Sequence, residues 1–481
     1  MPENYYSLIL TVIFGGAFAF DLYMHQRKDR VDSNKCRYSP IKIYRAWQLL
    51  PVVVIILCII DIFHEKNVIG QIFVHMLPVL ILFCLYSCVL LFLLPLLRRF
   101  LSAQTCAMLW IIPPCFACYR LFFIWGSHSG DPLAVIQLPF QISGKLFFLI
   151  LSGIWFVGFA AILLWQILSH LRFRRFLLKD AVRIDDSEIT DVWCRELHIG
   201  RFQEWPFRLM RSPNTQTPLS IGLFLRTTCV VLPEREYTAE ELALVLRHEL
   251  VHIGRRDSLT KLYMVFMTAL FWFNPFMWIA MRRCADDLEL SCDETVLKGE
   301  QQPRRQQYAG LLLQTVADQR GFTTCLSASA KTLHYRLKNV VKPGKRLVGG
   351  ITAGILTVVL LLSCFYIDFS FDPGTVEEKI FQAHQTQPTQ LRYVDLSENG
   401  GAYPVADQEA LLSYLSGLKV SRLMKTYDTY EGDRFVILWE GQSSAEEASI
   451  VINERYIKAY NICYYLEEGV DWQFIKTLAK E

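Results

Sequence analysis

The chain has 481 residues, 52% of them hydrophobic and 20% charged, with a mean hydropathy of +0.26. That balance excludes an ordinary soluble protein of this length and predicts several membrane spans. A net charge of +3 is too small to point to nucleic acid, and the excess basic residues are largely juxtamembrane.

Long apolar runs place spans at Tyr5–Met24, Ala46–Phe63, Gln71–Leu97, Gln104–Trp125, Leu146–His170 and Leu347–Ile367. The first run has no small-residue cleavage site followed by a soluble domain, so it is read as a retained span. Pro113, Pro114 and Arg120 make the fourth the weakest. Basic residues cluster between the first two spans (Arg27, Lys28, Arg30, Lys35, Arg37, Lys42, Arg45), after the third (Arg98, Arg99) and after the fifth (Arg172, Arg174, Arg175, Lys179). Placing all three clusters in the cytoplasm satisfies the positive-inside rule. The amino terminus and the tail after Ile367 are then outside, and residues 171–346 are cytoplasmic. Many of the 14 cysteines (Cys58, Cys84, Cys88, Cys106, Cys364) fall in spans, where they act as small apolar residues. Cys115 and Cys118 have redox-motif spacing in an apolar segment and are read as packing. Cys463 is the one cysteine expected in the external tail, which leaves it no internal disulfide framework.

The cytoplasmic segment carries the chemistry. Leu223–Leu232 is rich in strand formers and stops at Pro233, predicting an edge strand along which an extended substrate could add. Thr238-Ala-Glu-Glu241 is a capping box, so a helix starts there. That helix carries His248-Glu-Leu-Val-His252, two histidines one turn apart on one face, spaced to share a metal ion. Glu249 is placed to polarise a metal-bound water. A hydrolytic zinc site wants a third protein ligand and one open position. Glu289 suits the ligand role. Asp293, four residues on, suits a hydrogen bond that orients a ligand imidazole, and Asp257 is a second candidate for that role. Cys292 is a possible sulfur donor, set aside as lying off the face of Glu289. His128, His170, His198 and His334 lack partners at ligand spacing.

Between the two halves, Leu259–Met281 is nearly apolar enough to be a span. A full crossing would separate the histidines from Glu289, so Asn274-Pro275 is read as the tip of an antiparallel helix pair that dips into the membrane or packs on other spans. His252 to Asn274 is about 33 Å of helix and Pro275 to Glu289 about 21 Å, so Gly254 or a bend near it must absorb the difference. The cluster Phe271–Trp278 is read as packing. Arg304-Arg305 and Thr323–Ala330 are read as solvated loop in preference to cleavage sites.

The string His-Glu-Leu-Val-His252, then Arg-Arg-Asp257, Trp-Phe-Asn-Pro-x-x-Trp278 and Glu289-Leu-Ser-Cys-Asp293, resembles the BlaR/MecR family of membrane zinc metallopeptidases, the antirepressor regulatory peptidases. Pro218-x-x-x-Gly222 and Val-Val-Leu-Pro233 resemble the same family's lead-in. The likeness is strong over about residues 200–345. It implies that His248, His252 and Glu289 bind Zn2+ and that Glu249 is the catalytic base. In the best-known members an external sensor triggers cytoplasmic proteolysis, including self-cleavage, that ends repression of a resistance operon. Here residues 368–481 are too few for those members' penicillin-binding domain. Ser416-Gly-Leu-Lys419 spells S-x-x-K without an S-D-N or K-T-G companion and is read as part of an amphipathic helix. The tail is read as a small α+β module with helices at Val376–Ala383, Asp407–Leu418 and Asp471–Ala479. Its strands are expected at Phe435–Trp439, Ala448–Ile452, Tyr456–Tyr460 and Cys463–Leu466.

The expected architecture is a polytopic α-helical membrane protein with an embedded gluzincin-like α+β zinc peptidase domain. Residues 1–170 form a membrane domain of about five spans, 171–346 the peptidase domain with its helix pair at 259–281, 347–367 the last span, and 368–481 an extracytoplasmic α+β domain. The expected activity is zinc-dependent endoproteolysis in transmembrane signalling at a bacterial-type plasma membrane. Expected partners are the bilayer and a peptide or protein substrate, either the chain itself or a cytoplasmic transcriptional repressor; no nucleic acid is expected, and a homodimer stays open. Two other readings use the same residues: a non-proteolytic zinc-binding receptor, which would not need Glu249, and a constitutive quality-control protease, which would not need residues 368–481.

Overall fold

The computed structural model describes residues 68–110 (except 104 and 108), 134–137, 145–317 (except 201 and 224) and 330–342. It also describes 354–356, 358–359, 367–382, 390–394, 402–423 (except 406), 434–438, 450–459 (except 454) and 462–479. The expected spans Tyr5–Met24 and Ala46–Phe63, the Cys115/Cys118 pair and His128 lie outside these residues, as do most of Leu347–Ile367, of Thr323–Ala330 and of Gln104–Trp125 beyond Trp110.

Helix α1 (Val68–Leu97) contains no Asp, Glu, Lys or Arg. It turns at Arg98–Ser102 into a second helical stretch within 103–110. Helix α2 (Lys145–Leu178) has no Asp, Glu, Lys or Arg between Lys145 and Arg172. Its Gly153–Leu178 part is, among the described residues, the one helix long and apolar enough to cross a membrane; Cys84–Leu97 of α1 is a shorter apolar helix. Among the described residues, the span expected at Leu146–His170 meets this test, whereas Tyr5–Met24 and Ala46–Phe63 lie outside them.

After α2 come α3 (Ser187–Gly200) and a four-stranded sheet of β2 (Val182–Arg183), β3 (Arg208–Arg211), β4 (Leu219–Ile221) and β5 (Cys229–Leu232), in the order β2-β3-β5-β4. This corrects the expected edge strand. Leu225–Thr227 is a 3-10 turn, and β5 is an interior strand, parallel to β3 and antiparallel to β4. Its four residues Cys-Val-Val-Leu are all buried, the pattern of a strand covered on both faces. The edge belongs to β4, which packs against the motif helix. Gly222, just after β4, has φ +140°, and a Cβ there would sit 2.5 Å from the Thr228 Cα. No other residue fits that turn.

Helix α4 (Ala239–Arg255) opens with both bonds of the capping box, Glu241 N to Thr238 Oγ1 at 3.3 Å and Thr238 N to Glu241 Oε2 at 3.0 Å. It ends at Arg256, whose φ of 57° and ψ of 43° turn the chain sharply into α5 (Asp257–Leu270). After residues 271–274, Pro275 occupies the first turn of α6 (Pro275–Val296), and Asn274 Oδ1 caps it by accepting from Phe276 N at 3.0 Å. The antiparallel hairpin is therefore present. Its bend lies at Arg256, two residues beyond Gly254, and this balances the two arms at about 20 Å each. The hairpin packs on α1 and residues 101–110 through Leu94, Leu109, Met267, Phe271, Met277 and Cys284, and on α2 through Phe266 against Phe159. Trp272 lies over Gly158 of α2 and donates from Nε1 to Trp155 O at 3.2 Å. Trp155 Nε1 in turn donates to Leu270 O at 3.0 Å. Helices α7 (Gln302–Ala317) and α8 (Ala330–Val341) then close a bundle with α4 and α6 around Leu244, Val251, Cys292, Val296, Tyr308 and Val340.

The remaining strands are β6 (Ile367–Thr375), β7 (Gln390–Val394), β8 (Ala402–Pro404), β9 (Lys419–Leu423), β10 (Arg434–Leu438), β11 (Ile450–Asn453), β12 (Tyr456–Ala459) and β13 (Ile462–Leu466). With β1 (Ala134–Gln137) they form a nine-stranded sheet in the order β1-β6-β9-β13-β12-β11-β10-β7-β8. Every pairing in it is antiparallel except β1 with β6. Helices α9 (Gln408–Gly417, capped by Asp407) and α10 (Trp472–Ala479) cover one face. The helix expected at Val376–Ala383 shortens to a turn at Glu377–Phe381. Strand β6 begins at the residue where the last span was expected to end, and its Asp-Pro-Gly bulge hides it from pattern reading. Ser416 and Lys419 do not form a nucleophile pair: Ser416 Oγ donates to Ser413 O at 3.0 Å, and Lys419 Nζ meets Glu468 at 3.4 Å.

Candidate metal and peptidase site

Helix α4 presents His248 and His252 toward α6, and their Nε2 atoms are 3.1 Å apart. Glu289 Oε2 lies 3.5 Å from each of these nitrogens. Three donor atoms thus form a nearly equilateral triangle. In a tetrahedral zinc site with bonds of about 2.0–2.1 Å, donors are about 3.3 Å apart, so the triangle fits that ion. Glu249 is buried beside His248 on the same helix.

Each imidazole is held from its other nitrogen. His252 Nδ1 donates to Asp257 Oδ2 at 2.7 Å, and Asp257 is itself buried and met by Arg255 Nε at 3.4 Å. Asp293 does not bond His248 directly, its Oδ1 being 3.7 Å from Nδ1. Tyr308 bridges the gap: its hydroxyl lies 2.8 Å from His248 Nδ1 and donates to Asp293 Oδ1 at 2.6 Å. Arg336 completes the chain with two bonds to Asp293, at 2.7 and 2.8 Å. Asp293, expected to bond His248, thus reaches it only through Tyr308.

Charge is dense here. Burial works against the ionised form of Glu289, yet His252, Lys261 and His248 hold its pKa well below the usual carboxylate range. Lys261 Nζ is 3.4 Å from Glu289 Oε1, and Arg336 is 3.6 Å from Oε2. Burial also disfavours the imidazoliums, but Cys292 and Glu289 outweigh it and raise His248 to about 10. His252 rises well above its ordinary value in the same way. Burial and Asp293 push the Tyr308 hydroxyl well above its usual range, so it keeps its proton.

Cys292 needs a second correction, since it does face the site. Its Sγ is 3.4 Å from His248 Nδ1 and 3.4 Å from His248 O, and donor atoms of His248, His252 and Cys292 all lie within 4.8 Å of one another. Two third ligands thus compete on proximity. Glu289 meets the nitrogen that His248 turns toward His252, whereas Cys292 meets the opposite nitrogen. One imidazole cannot offer both nitrogens to a single ion, so the geometry favours Glu289.

Residues 137–340 match the family model described as BlaR1 peptidase M56. This region is a BlaR/MecR-type peptidase domain. The regulatory protein BlaR1 of Bacillus licheniformis is 26% identical over 200 residues, 41% of this chain and 32% of that protein. The methicillin resistance mecR1 protein of Staphylococcus aureus is 26% identical over 176 residues, 36% of this chain and 29% of that protein. The chain thus spans about a third of the length of these relatives.

Within this metallopeptidase domain, Lys261, Tyr308 and Arg336 were not legible as site residues. Lys261 is one turn past Asp257 on α5 and was readable only with the hairpin in place. Tyr308 and Arg336 lie 60 residues from His248 and 43 from Asp293, and no helical period links such separations. His170, His198 and His334 are exposed.

Proposed function

We propose that this chain is a membrane zinc endopeptidase that works in transmembrane signalling, cleaving itself or a cytoplasmic repressor. The observation that carries the reading is the convergence of His248 Nε2, His252 Nε2 and Glu289 Oε2 at mutual distances of 3.1–3.5 Å. Glu249 lies on the same helix. When bound, zinc supplies Lewis acidity at that point, lowering the pKa of water and polarising a carbonyl. Glu249 takes the proton of the attacking water and passes it to the leaving amine nitrogen. Asp257 and the Tyr308–Asp293–Arg336 chain keep the Nε2 lone pairs aimed inward. Strand β4, the edge of its sheet among the described residues, offers backbone groups to an extended substrate.

Two sets of contacts support the sidedness. Arg98 binds Asp287 at 2.8 Å and Ala103 N donates to Glu294 at 3.1 Å, so the turn after α1 shares a side with the metal site. Residues 134–137 pair with β6, so the stretch before α2 shares a side with the tail. Helix α2, about 50 Å long, separates the two. Because the basic residues Arg98, Arg99, Arg172, Arg174 and Arg175 lie toward the peptidase end, that end is cytoplasmic.

The test is to express wild type and Glu249→Gln in membranes and to measure bound zinc and cleavage fragments together. The variant is expected to hold as much zinc as wild type while cleavage falls roughly 10²–10⁴-fold, the usual worth of a general base. Equal fragment patterns with equal zinc would refute proteolysis.

A further inference from the structure

We infer that Tyr308 is a positioning residue for the metal site, relaying the Asp293–Arg336 ion pair onto His248 and so making zinc binding depend on the two helices that follow the motif pair. The inference rests on the metal-site reading above and goes beyond its ligand set. A histidine can present Nε2 to a metal only if the proton sits on Nδ1, and the group bonded to Nδ1 decides this. For His252 that group is a carboxylate in direct contact, Asp257 at 2.7 Å. For His248 the carboxylate is out of reach, Asp293 being 3.7 Å away.

Tyr308 resolves the geometry because a phenol has one proton to give and lone pairs to accept with. At 2.6 Å its proton goes to Asp293 Oδ1. Arg336 occupies Asp293 from the other side with donors on both oxygens, so Asp293 is a fixed acceptor. With its proton committed, the Tyr308 oxygen can only accept from His248, which leaves the proton on Nδ1 and the lone pair on Nε2. Cys292 Sγ lies at sulfur hydrogen-bond distance, 3.4 Å, from the same nitrogen, but its own proton goes to His248 O, so toward Nδ1 it too can only accept. Tyr308 and Asp293 are both buried, and their neighbours Val296, Leu311 and Val340 pack around the chain. The alternatives to this hydrogen-bond direction are thus unsatisfied buried groups. The arrangement also splits the work between elements: α4 and α6 supply the donors, while α7 supplies Tyr308 and α8 supplies Arg336.

The experiment uses the full-length protein in detergent, titrated with zinc against a chelator and with cobalt read by its visible absorption. Tyr308→Phe keeps the ring and removes only the relay. It is expected to weaken zinc and cobalt binding about 10–100-fold while leaving the melting temperature of the metal-free protein within error. In a double-mutant cycle with Asp293→Asn, the two losses should be clearly less than additive, since both break one chain. Affinity within twofold of wild type, or strictly additive losses, would overturn the relay. If wild type itself bound neither metal, the ligand reading would fall together with this one, an outcome distinct from failure of Tyr308 alone.

Discussion

His248 and His252 sit one turn apart and face one point, yet the protein holds them by different means: one by a carboxylate, the other through a phenol. The spacing of His248, Glu249 and His252 was readable because helical period alone places them on one helix, while Glu289 was readable only as a carboxylate on a second helix that the Asn274-Pro275 turn could bring back. Cys292 was misjudged from the same period, since a residue three positions after Glu289 shares its side of the helix. Tyr308 and Arg336 were unreadable because their places depend on how α7 and α8 pack. The charges here also make a pH prediction. Without metal, His248 and His252 titrate above the 6.5 of an unfolded chain, His248 at about 10. Their protonated forms stabilise the metal-free fold fully below about pH 6.5, and this contribution fades as pH rises through about 10. Melting curves in chelator should therefore shift downward from pH 7 to pH 9. With zinc present the shift should shrink or reverse, because zinc needs neutral imidazoles. A metal-free melting temperature that rose over this range would contradict the assigned charges.

At the scale of elements, the site exists because α5 and α6 return α6 to the side where α4 ends. Asn274-Pro275 announced the turn, and the unequal arms required a bend; the backbone conformation of Arg256 could not be read from its side chain. The edge strand was misplaced because strand propensity does not say which strand lies in the middle of a sheet, although four successive buried apolar residues were a usable hint. Gly158 tests whether seating the hairpin on α2 matters to the metal. A Cβ there would lie 2.2 Å from the Trp272 ring, whereas at Gly153 of the same helix it would meet nothing within 4 Å. Gly158→Val should cost about 1–3 kcal/mol as an overpacked contact and lower zinc occupancy by displacing Glu289. Gly153→Val should leave both unchanged. Thermal melting and metal analysis of the two variants side by side decide the point; equal behaviour would separate the hairpin's seat from the site.

For the whole molecule, two sheets stand at opposite ends of α2. The smaller lies at the basic end with the metal site, and the larger takes in β1 from the stretch before α2. Charge and hydropathy predict two compartments. They could not foretell that residues 134–137 would join the tail's sheet, since a parallel pairing across more than 200 residues leaves no local pattern. Four strands of the tail were readable from alternation, while β6 was masked by a Pro-Gly bulge and β9 by Lys419, Ser421 and Arg422, which leave it only two apolar residues. All of this architecture serves one claim, that His248, His252 and Glu289 hold zinc beside Glu249. The X-ray absorption fine structure of the zinc-loaded protein tests it most directly. The account predicts a first shell of nitrogen and oxygen alone at about 2.0–2.2 Å, two of the scatterers being imidazoles. A sulfur at about 2.3 Å would contradict it by putting Cys292 in the place of Glu289.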